Sequence, residues 1–322
     1  MSWSEPTGPW KFYDPSWESD ELDPERRSGM WNGHRWFVYD LLRWRKPDVV
    51  VELGTHYGPS IFAMAQAVKD AGLNTQLNAV DTWEGEEHAG FYGEEVLGIV
   101  KHVKKERYSD VQLDLHRMYF SDALANFEDG SVDLIHIDGF HSYEAAKEDF
   151  ETWLPKLSEN GLVVMHDASR VLGYGSAEFC EEVTAKFDGF IFPHSCGLAV
   201  VAPKGNAGWE SLFTQDSIDQ KLLYYPHRAQ SFLATLQTID QARMIDDRDE
   251  VIRSQSEVID DRDEVIAELQ RSVEAKTAAM AKKQSTIEEL KAKLKVQQTS
   301  PRAALNVLVT QGPKSIKTRI RR

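Results

Sequence analysis

The chain has 322 residues, 41% of them hydrophobic, and carries a formal charge of −15 at pH 7. That apolar content is enough for a packed core, and the acidic balance (pI near 5.2) argues against nucleic acid as the main partner, because a phosphate-binding surface concentrates Lys and Arg. Cys180 and Cys196 are the only cysteines, which excludes a disulfide framework and matches no zinc spacing, and no apolar run approaches the ~20 residues of a membrane span, so a cytoplasmic protein, at most peripheral to the membrane, is expected.

Residues 1 to 30 are rich in Trp, Pro, Asp and Glu without a clear period, and Trp3, Trp10, Phe12, Tyr13 and Trp17 make this an arm expected to dock on the domain. Trp36 to Trp44 reads as an amphipathic helix, with Phe37, Leu41 and Trp44 at helical spacing and Pro47 beyond its end. Strands expected at about 49–53, 76–80, 111–116, 132–137 and 161–165 then alternate with helices near 59–70, 93–107, 121–127 and 142–157. Such alternation predicts a doubly wound, mostly parallel α/β sheet. FIFPHS and GLAVVAP read as a closing pair of strands, one of them antiparallel, so the sheet is expected to close near Pro203, within a domain spanning residues 31–226.

From His227 to Gln298 the expectation is a long helix, about 100 Å at roughly 1.5 Å per residue. The repeat DDRDEVI at 246–252 recurs at 260–266, two heptads on. Ile245, Ile252, Ile259, Ile266, Val273, Met280, Ile287 and Leu294 share one heptad position, a seam that predicts homo-oligomerisation as a coiled coil. The partner position is poor, with Arg248, Gln255, Arg262, Lys276 and Lys283, while Val251, Val258 and Val265 flank the seam. The tail, residues 299–322, is basic and interleaved with apolar residues, a composition suited to an anionic membrane or an acidic partner.

The chemistry begins with VVVELGTHYGPS, residues 49 to 60. A buried β-branched run ending in Glu52, then Gly54 and Gly58, describes a strand that turns sharply into a helix facing a ligand. Glu52, Gly54, Thr55 and Gly58 are candidate contacts to that ligand, and Asp81, closing NAVD, can accept the hydroxyls of a ribose. The nicotinamide fingerprint G-x-G-x-x-G is absent. DGFH at 138–141 and HD at 166–167 end the fourth and fifth strands, so Asp138 and Asp167 can converge, and two carboxylates held together call for a cation such as magnesium. His136 is expected to be a buried structural histidine, and His34, His56 and Tyr57 could line the mouth or simply pack. The loop at 84 to 96 has the composition of a substrate lid, with Trp83, Phe91 and Tyr92 as candidate sugar-stacking aromatics.

VELGTHYGPS, AVDTWEGEEHAGFYGEEV, DLIHIDGFHSYEAAKEDFETWLPKL and GLVVMHDA together resemble the successive motifs of class I S-adenosylmethionine-dependent methyltransferases, over about residues 30 to 203. Within that class they are similar to the macrocin-type sugar and surface-polysaccharide O-methyltransferases. The resemblance implies a Rossmann-like sheet of seven strands and S-adenosylmethionine as methyl donor. Its methionine end would lie on Glu52, Gly54, Thr55 and Gly58, its ribose on Asp81, and its adenosine near Thr82, Trp83, Ser121 and Asp122. Asp138 and Asp167 match aspartates that bind metal in the relatives, and His141 matches their general base. The sequence departs from the macrocin-type metal set, which has Glu where His166 stands. The implied activity is O-methylation of a sugar hydroxyl on a glycan, glycolipid or glycosylated metabolite; a cephalosporin-hydroxylase-like enzyme and a non-catalytic coiled-coil scaffold are the alternatives.

Overall fold

The structure, a computed structural model, describes residues 8–23, 27, 29–86 and 90–299. The expectations for Trp3, for the middle of the 84–96 loop and for the basic tail from 300 onward lie outside these residues. The described chain forms two compact units, residues 1–239 and 240–322.

The first unit is built on seven strands: β1 (Val49–Leu53), β2 (Gln76–Asp81), β3 (Leu113–Arg117), β4 (Val132–Ile137), β5 (Leu157–His166), β6 (Asp188–Phe192) and β7 (Leu198–Ala202). Their order across the sheet is β3-β2-β1-β4-β5-β7-β6, with β7 antiparallel to both neighbours and all other pairs parallel. This is the doubly wound, mostly parallel sheet that the alternation predicts. The order reverses between β1 and β4, so their C-terminal ends open a crevice at the switch point.

Among the described residues, six helices of more than ten residues complete the layers: α1 (Arg35–Arg45), α2 (Pro59–Ala71), α3 (Glu94–Arg107), α4 (Tyr143–Trp153), α5 (Gly175–Lys186) and α6 (Gln215–Thr299). Because strand side chains alternate, Val50, Leu77, Leu134 and Val164 join the core under α1, α2 and α3, while Val51, Leu53, Ile135 and Met165 join that under α4 and α5. Glu52 and His136 share the parity of Val50 and Leu134, which puts two polar groups inside the first core.

Three boundaries differ from expectation. The α5 helix is an additional element, although Ala177, Cys180 and Val183 repeat at helical spacing and are buried. The packed unit runs past Pro226: Trp209, Leu212, Lys221, Tyr225 and Ala229 are all buried. The last helix begins at Gln215 and contains Pro226 instead of starting after it. Proline costs a helix interior ~3 kcal/mol, and here packing of Tyr225 and Ala229 on either side outweighs it.

That packing centres on a polar knot that also seats the arm. Asp40 accepts hydrogen bonds from the Tyr225 hydroxyl at 2.6 Å and the Tyr13 amide at 3.2 Å, and the Trp10 indole donates to the Tyr225 oxygen at 3.0 Å. Lys221 lies over the Trp10 ring at 4.2 Å and donates to Ser217 Oγ at 2.6 Å. Farther along the arm, Asp20 pairs with the buried Arg35 at 2.9 Å, whose guanidinium is packed against Trp17, Trp36 and Phe232. The second unit is α-helical from Asp240 to Thr299, and every described side chain in it is exposed.

Burial pushes the Asp40 carboxyl up to about 7, against the opposing pull of Tyr225, Tyr13, Arg43 and Lys221. A folded pKa above the unfolded value of 3.8 gives stability that is full below that value and lost as pH rises through about 7. The stability difference between wild type and Asp40→Asn should therefore shrink as pH rises from 5 to 8, by up to about 2.7 kcal/mol, roughly 1.36 kcal/mol for each of the two pH units between 5 and the folded value of about 7. Thermal unfolding of both proteins across that range measures it; a difference independent of pH would show that Asp40 does not change protonation on folding.

Candidate functional site

The crevice at the switch point starts with the β1 to α2 turn. Gly54 (φ 91°) and Gly58 (φ 84°) both adopt left-handed backbone, and a Cβ on Gly54 would overlap the carbonyl oxygen of Asp138. The turn from β1 and the end of β4 are thus in direct backbone contact, tied also by the Asp138 amide to the Leu53 carbonyl at 2.8 Å. Pro59 opens α2 at a position where its missing N–H costs nothing.

Asp81 clamps this turn. One carboxylate oxygen accepts from the amides of Thr55 (2.9 Å) and His56 (2.8 Å), and the other accepts from the Trp83 amide (2.6 Å). A carboxylate has about four acceptor positions, so a single position is left for a ligand hydroxyl. Two of the turn amides expected to face a ligand are therefore engaged by Asp81. Trp83 is fully buried, with its indole donating to the His56 carbonyl at 3.0 Å. It is a core residue, and its expected role in stacking on a sugar is corrected by that burial. Phe91 is 81% exposed and Tyr92 stacks on His56 at 4.7 Å. Thr82 accepts the Glu84 amide through its hydroxyl, and Ser121 and Asp122 are exposed on the short Phe120–Ala123 helix that follows β3.

Beneath the turn runs a buried relay that fixes a tautomer. The Trp31 indole can only donate, and it faces His136 Nε2 at 3.1 Å, so the proton of that imidazole sits on Nδ1 and is donated to Glu52 Oε1, also at 3.1 Å. Glu52 is fully buried, and among the described residues its Oε2 has no hydrogen-bond partner; the same is true of the Thr55 hydroxyl. Unpaired buried oxygens are costly. An acceptor and a hydroxyl orphaned beside a glycine cradle suit an amino-acid head group bearing both an ammonium and a carboxylate.

On the other side of the crevice stand Asp138, His141, His166 and Asp167. Asp138, His141 and Asp167 each offer a ligand atom within 4.8 Å of the others. His141 Nε2 lies 3.0 Å from Asp167, and its ring stacks on Tyr174 at 4.7 Å. A proton on Nε2 facing that carboxylate places the basic lone pair of the neutral ring on Nδ1. His166 Nδ1 lies 3.1 Å from Asp167 and 3.3 Å from Asp138, while its Nε2 faces the Ser195 carbonyl at 3.1 Å.

With an acceptor at each nitrogen, His166 carries both protons. Burial works against that charge, but the Asp138 and Asp167 carboxylates override it and hold the imidazole well above its ordinary pKa. Burial likewise pushes Asp138 up, and the His166 charge outweighs it, holding the carboxyl at about 2. The Ser195 carbonyl is aimed by a sharp turn in which Ser195 (φ 51°), Cys196 (φ 69°) and Gly197 (φ 90°) are all left-handed. It also accepts from His34 at 3.0 Å, and His34, fully buried, is kept neutral by burial and by the neighbouring histidines. His34 is a core residue and not part of the mouth.

Sequence reasoning grouped Asp138, His141 and Asp167 and missed the roles of His166 and Trp31. A divalent ion fits this donor set in part. Three donors converge, but the charge that such an ion would bring to the carboxylate pair is already present in His166, and Ala168 after Asp167 adds no ligand.

A cleft of about 320 Å³ lies beside these residues, bounded by Met30, Val171, Leu172, Pro193, Phe232 and Leu233, with Asn32, Ser169 and Ser195 as polar points. Its wall thus combines the segment before α1, the loop after β5, the β6 to β7 turn and the first part of α6.

Residues 51–168, just over a third of the chain, match the family described as "Methyltransferase domain". The uncharacterized protein y4gI of Sinorhizobium fredii is 44% identical over 169 residues, which are 52% of this chain and 18% of that protein. The chain therefore spans under a fifth of the curated relative's length. Among solved structures, the SAH-bound methyltransferase PaMTH1 of Podospora anserina has 15% identity and a TM-score of 0.46, covering 59% of this chain and 88% of its own. The O-methyltransferase TomG of Streptomyces achromogenes, in complex with SAM, has 16% identity and a TM-score of 0.44, over 60% of this chain and 92% of its own.

The relay predicts that Trp31→Phe, which removes the donor to His136 together with the pyrrole part of the ring, should destabilise the protein by at least about 1 to 3 kcal/mol through the lost hydrogen bond and the cavity left. Chemical denaturation measures this, and an unchanged midpoint would mean that the indole hydrogen bond does not set the His136 tautomer.

Proposed function

We propose that the chain is an S-adenosylmethionine-dependent O-methyltransferase acting on a sugar hydroxyl of an acceptor that also bears an apolar group, such as a glycolipid or glycosylated metabolite. The observation that carries this reading is the direct contact between the Gly54 turn and the backbone of Asp138, which sets a donor cradle against the His141–Asp167 pair. A bound S-adenosylmethionine supplies an electrophilic methyl group on a sulfonium, and the transfer needs an aligned acceptor oxygen and removal of one proton.

The chain has groups for each part. Glu52 Oε2 and the Thr55 hydroxyl, orphaned in the turn, would receive the ammonium and carboxylate of the methionine moiety. The remaining acceptor position of Asp81 would take one ribose hydroxyl, and Thr82 and Ser121 flank the path of the nucleoside. His141 would accept the acceptor's proton, with Asp167 orienting the ring and stabilising the imidazolium formed. Asp138, kept ionised by His166, would hold the hydroxyl side of the crevice negative. A magnesium-like ion on Asp138 and Asp167 is not required by this scheme, because His166 already balances those charges. The apolar wall of the 320 Å³ cleft favours an acceptor with a lipid or aglycone portion over an unsubstituted polysaccharide. A cytoplasmic site of action follows from the donor.

His141→Ala should lower turnover on a glycosylated acceptor by 10²- to 10⁴-fold while leaving S-adenosylmethionine affinity nearly unchanged. Calorimetry and steady-state kinetics separate the two, and an equal loss of donor binding would recast His141 as a donor contact. Activity should persist in excess chelator. Asp81→Ala, by contrast, should weaken donor binding at least tenfold and also lower the melting temperature, since it strands the amides of Thr55, His56 and Trp83. Donor affinity that survives this change would remove the pocket assignment.

A further inference from the structure

We infer that residues 245–296 bind a second copy of this chain as a parallel, in-register, two-stranded coiled coil. Independently of the methyl-transfer reading, the helix presents its eight-residue seam to solvent, each member between 45 and 71% exposed, over about 80 Å at roughly 1.5 Å per residue. A stripe repeating every seven residues drifts around a straight helix and stays on one side only of a left-handed supercoil, so the pattern specifies another helix and not a flat surface.

The polar half of the repeat identifies that helix. With the seam at position a, position d holds Arg248, Gln255, Arg262, Leu269, Lys276, Lys283 and Leu290. An antiparallel pairing sets a against d and would bury most of the seam against Arg, Gln or Lys, since five of the seven d residues are polar. Parallel pairing in register separates them: Ile meets Ile, Leu269 meets Leu269, and Leu290 meets Leu290. A slip by the 14-residue repeat keeps the Ile layers but breaks both Leu layers.

Charge adds the same preference. Arg248 and Arg262 occupy d, each followed by an aspartate at e, Asp249 and Asp263, and among the described residues neither arginine forms an ion pair. In a parallel pair a d side chain packs into a hole that includes e of the other helix. Arg248 would therefore meet Asp249 of the second copy, and Arg262 would meet Asp263. Long basic side chains at d can keep their heads at the edge of a two-stranded coil, and a third strand would enclose them. β-branched residues at a favour two strands as well.

Sedimentation of the full chain at micromolar concentration should give a dimer, and Ile252→Asp with Ile266→Asp should give a monomer that still melts cooperatively at the wild-type temperature of the first unit. Ile259→Cys should form a disulfide-linked dimer under mild oxidant, since the native Cys180 and Cys196 are buried. Arg248→Asp with Arg262→Asp should raise the dimer dissociation constant at least tenfold, and adding Asp249→Arg with Asp263→Arg should restore it. A monomeric wild type, a dimer that survives the seam aspartates, or an Ile259→Cys dimer that does not cross-link would each overturn the inference.

Discussion

The crevice depends on one charged ring placed between two carboxylates. Asp138 and Asp167 come from the ends of neighbouring strands, and without a cation their repulsion would force one of them to take a proton. His166 removes that conflict from within β5 itself, because the Ser195 carbonyl holds its far nitrogen and leaves the near one for both aspartates. Asp167, 3.0 Å from His141, can then orient that ring. Three successive left-handed residues in the β6 to β7 turn are the strain that aims the Ser195 carbonyl, so a loop far in sequence sets the electrostatics of the site.

Much of this was legible in the sequence, and the limits have physical causes. The β-branched run at 49–51 and the pair Gly54 and Gly58 identify the turn because only a few backbone paths let a strand enter a helix so abruptly. Asp138, His141 and Asp167 were recognisable because parallel strands end on one edge, whatever their separation along the chain. His166 was not, since its charge follows from the Asp138 and Asp167 carboxylates while its far nitrogen is held by a carbonyl 29 residues on, a meeting that no local spacing announces. Trp83 misled for the complementary reason: an aromatic residue beside a ligand-facing carboxylate reads as a stacking platform, yet its left-handed backbone turns the ring inward.

The edges of the domain are likewise set by contacts distant in sequence. Local rules end a helix at Pro226 and leave the first residues as a loose arm, but Tyr225 links the two through Asp40 and Trp10. Composition alone could say that five aromatics near the start would seek a surface. It could not say that the surface would be a helix two hundred residues away, whose own register is held by the same hydroxyl.

The last helix is specified by two different kinds of physics. Up to Leu236 it has buried residues, and the core decides its conformation. From Asp240 onward no described side chain is buried, so among the described residues no tertiary packing adds to local propensity in that stretch. Helices without tertiary contacts gain little per residue and fray readily, yet here strict heptad spacing runs through eight repeats with β-branched residues in most of them, a choice that lowers intrinsic helicity. A sequence that gives up propensity to keep a seam is written for the contact the seam makes. If this stretch pairs with a second copy as inferred above, its folding and its association would be one process, and the polar d positions would set how tight the association becomes.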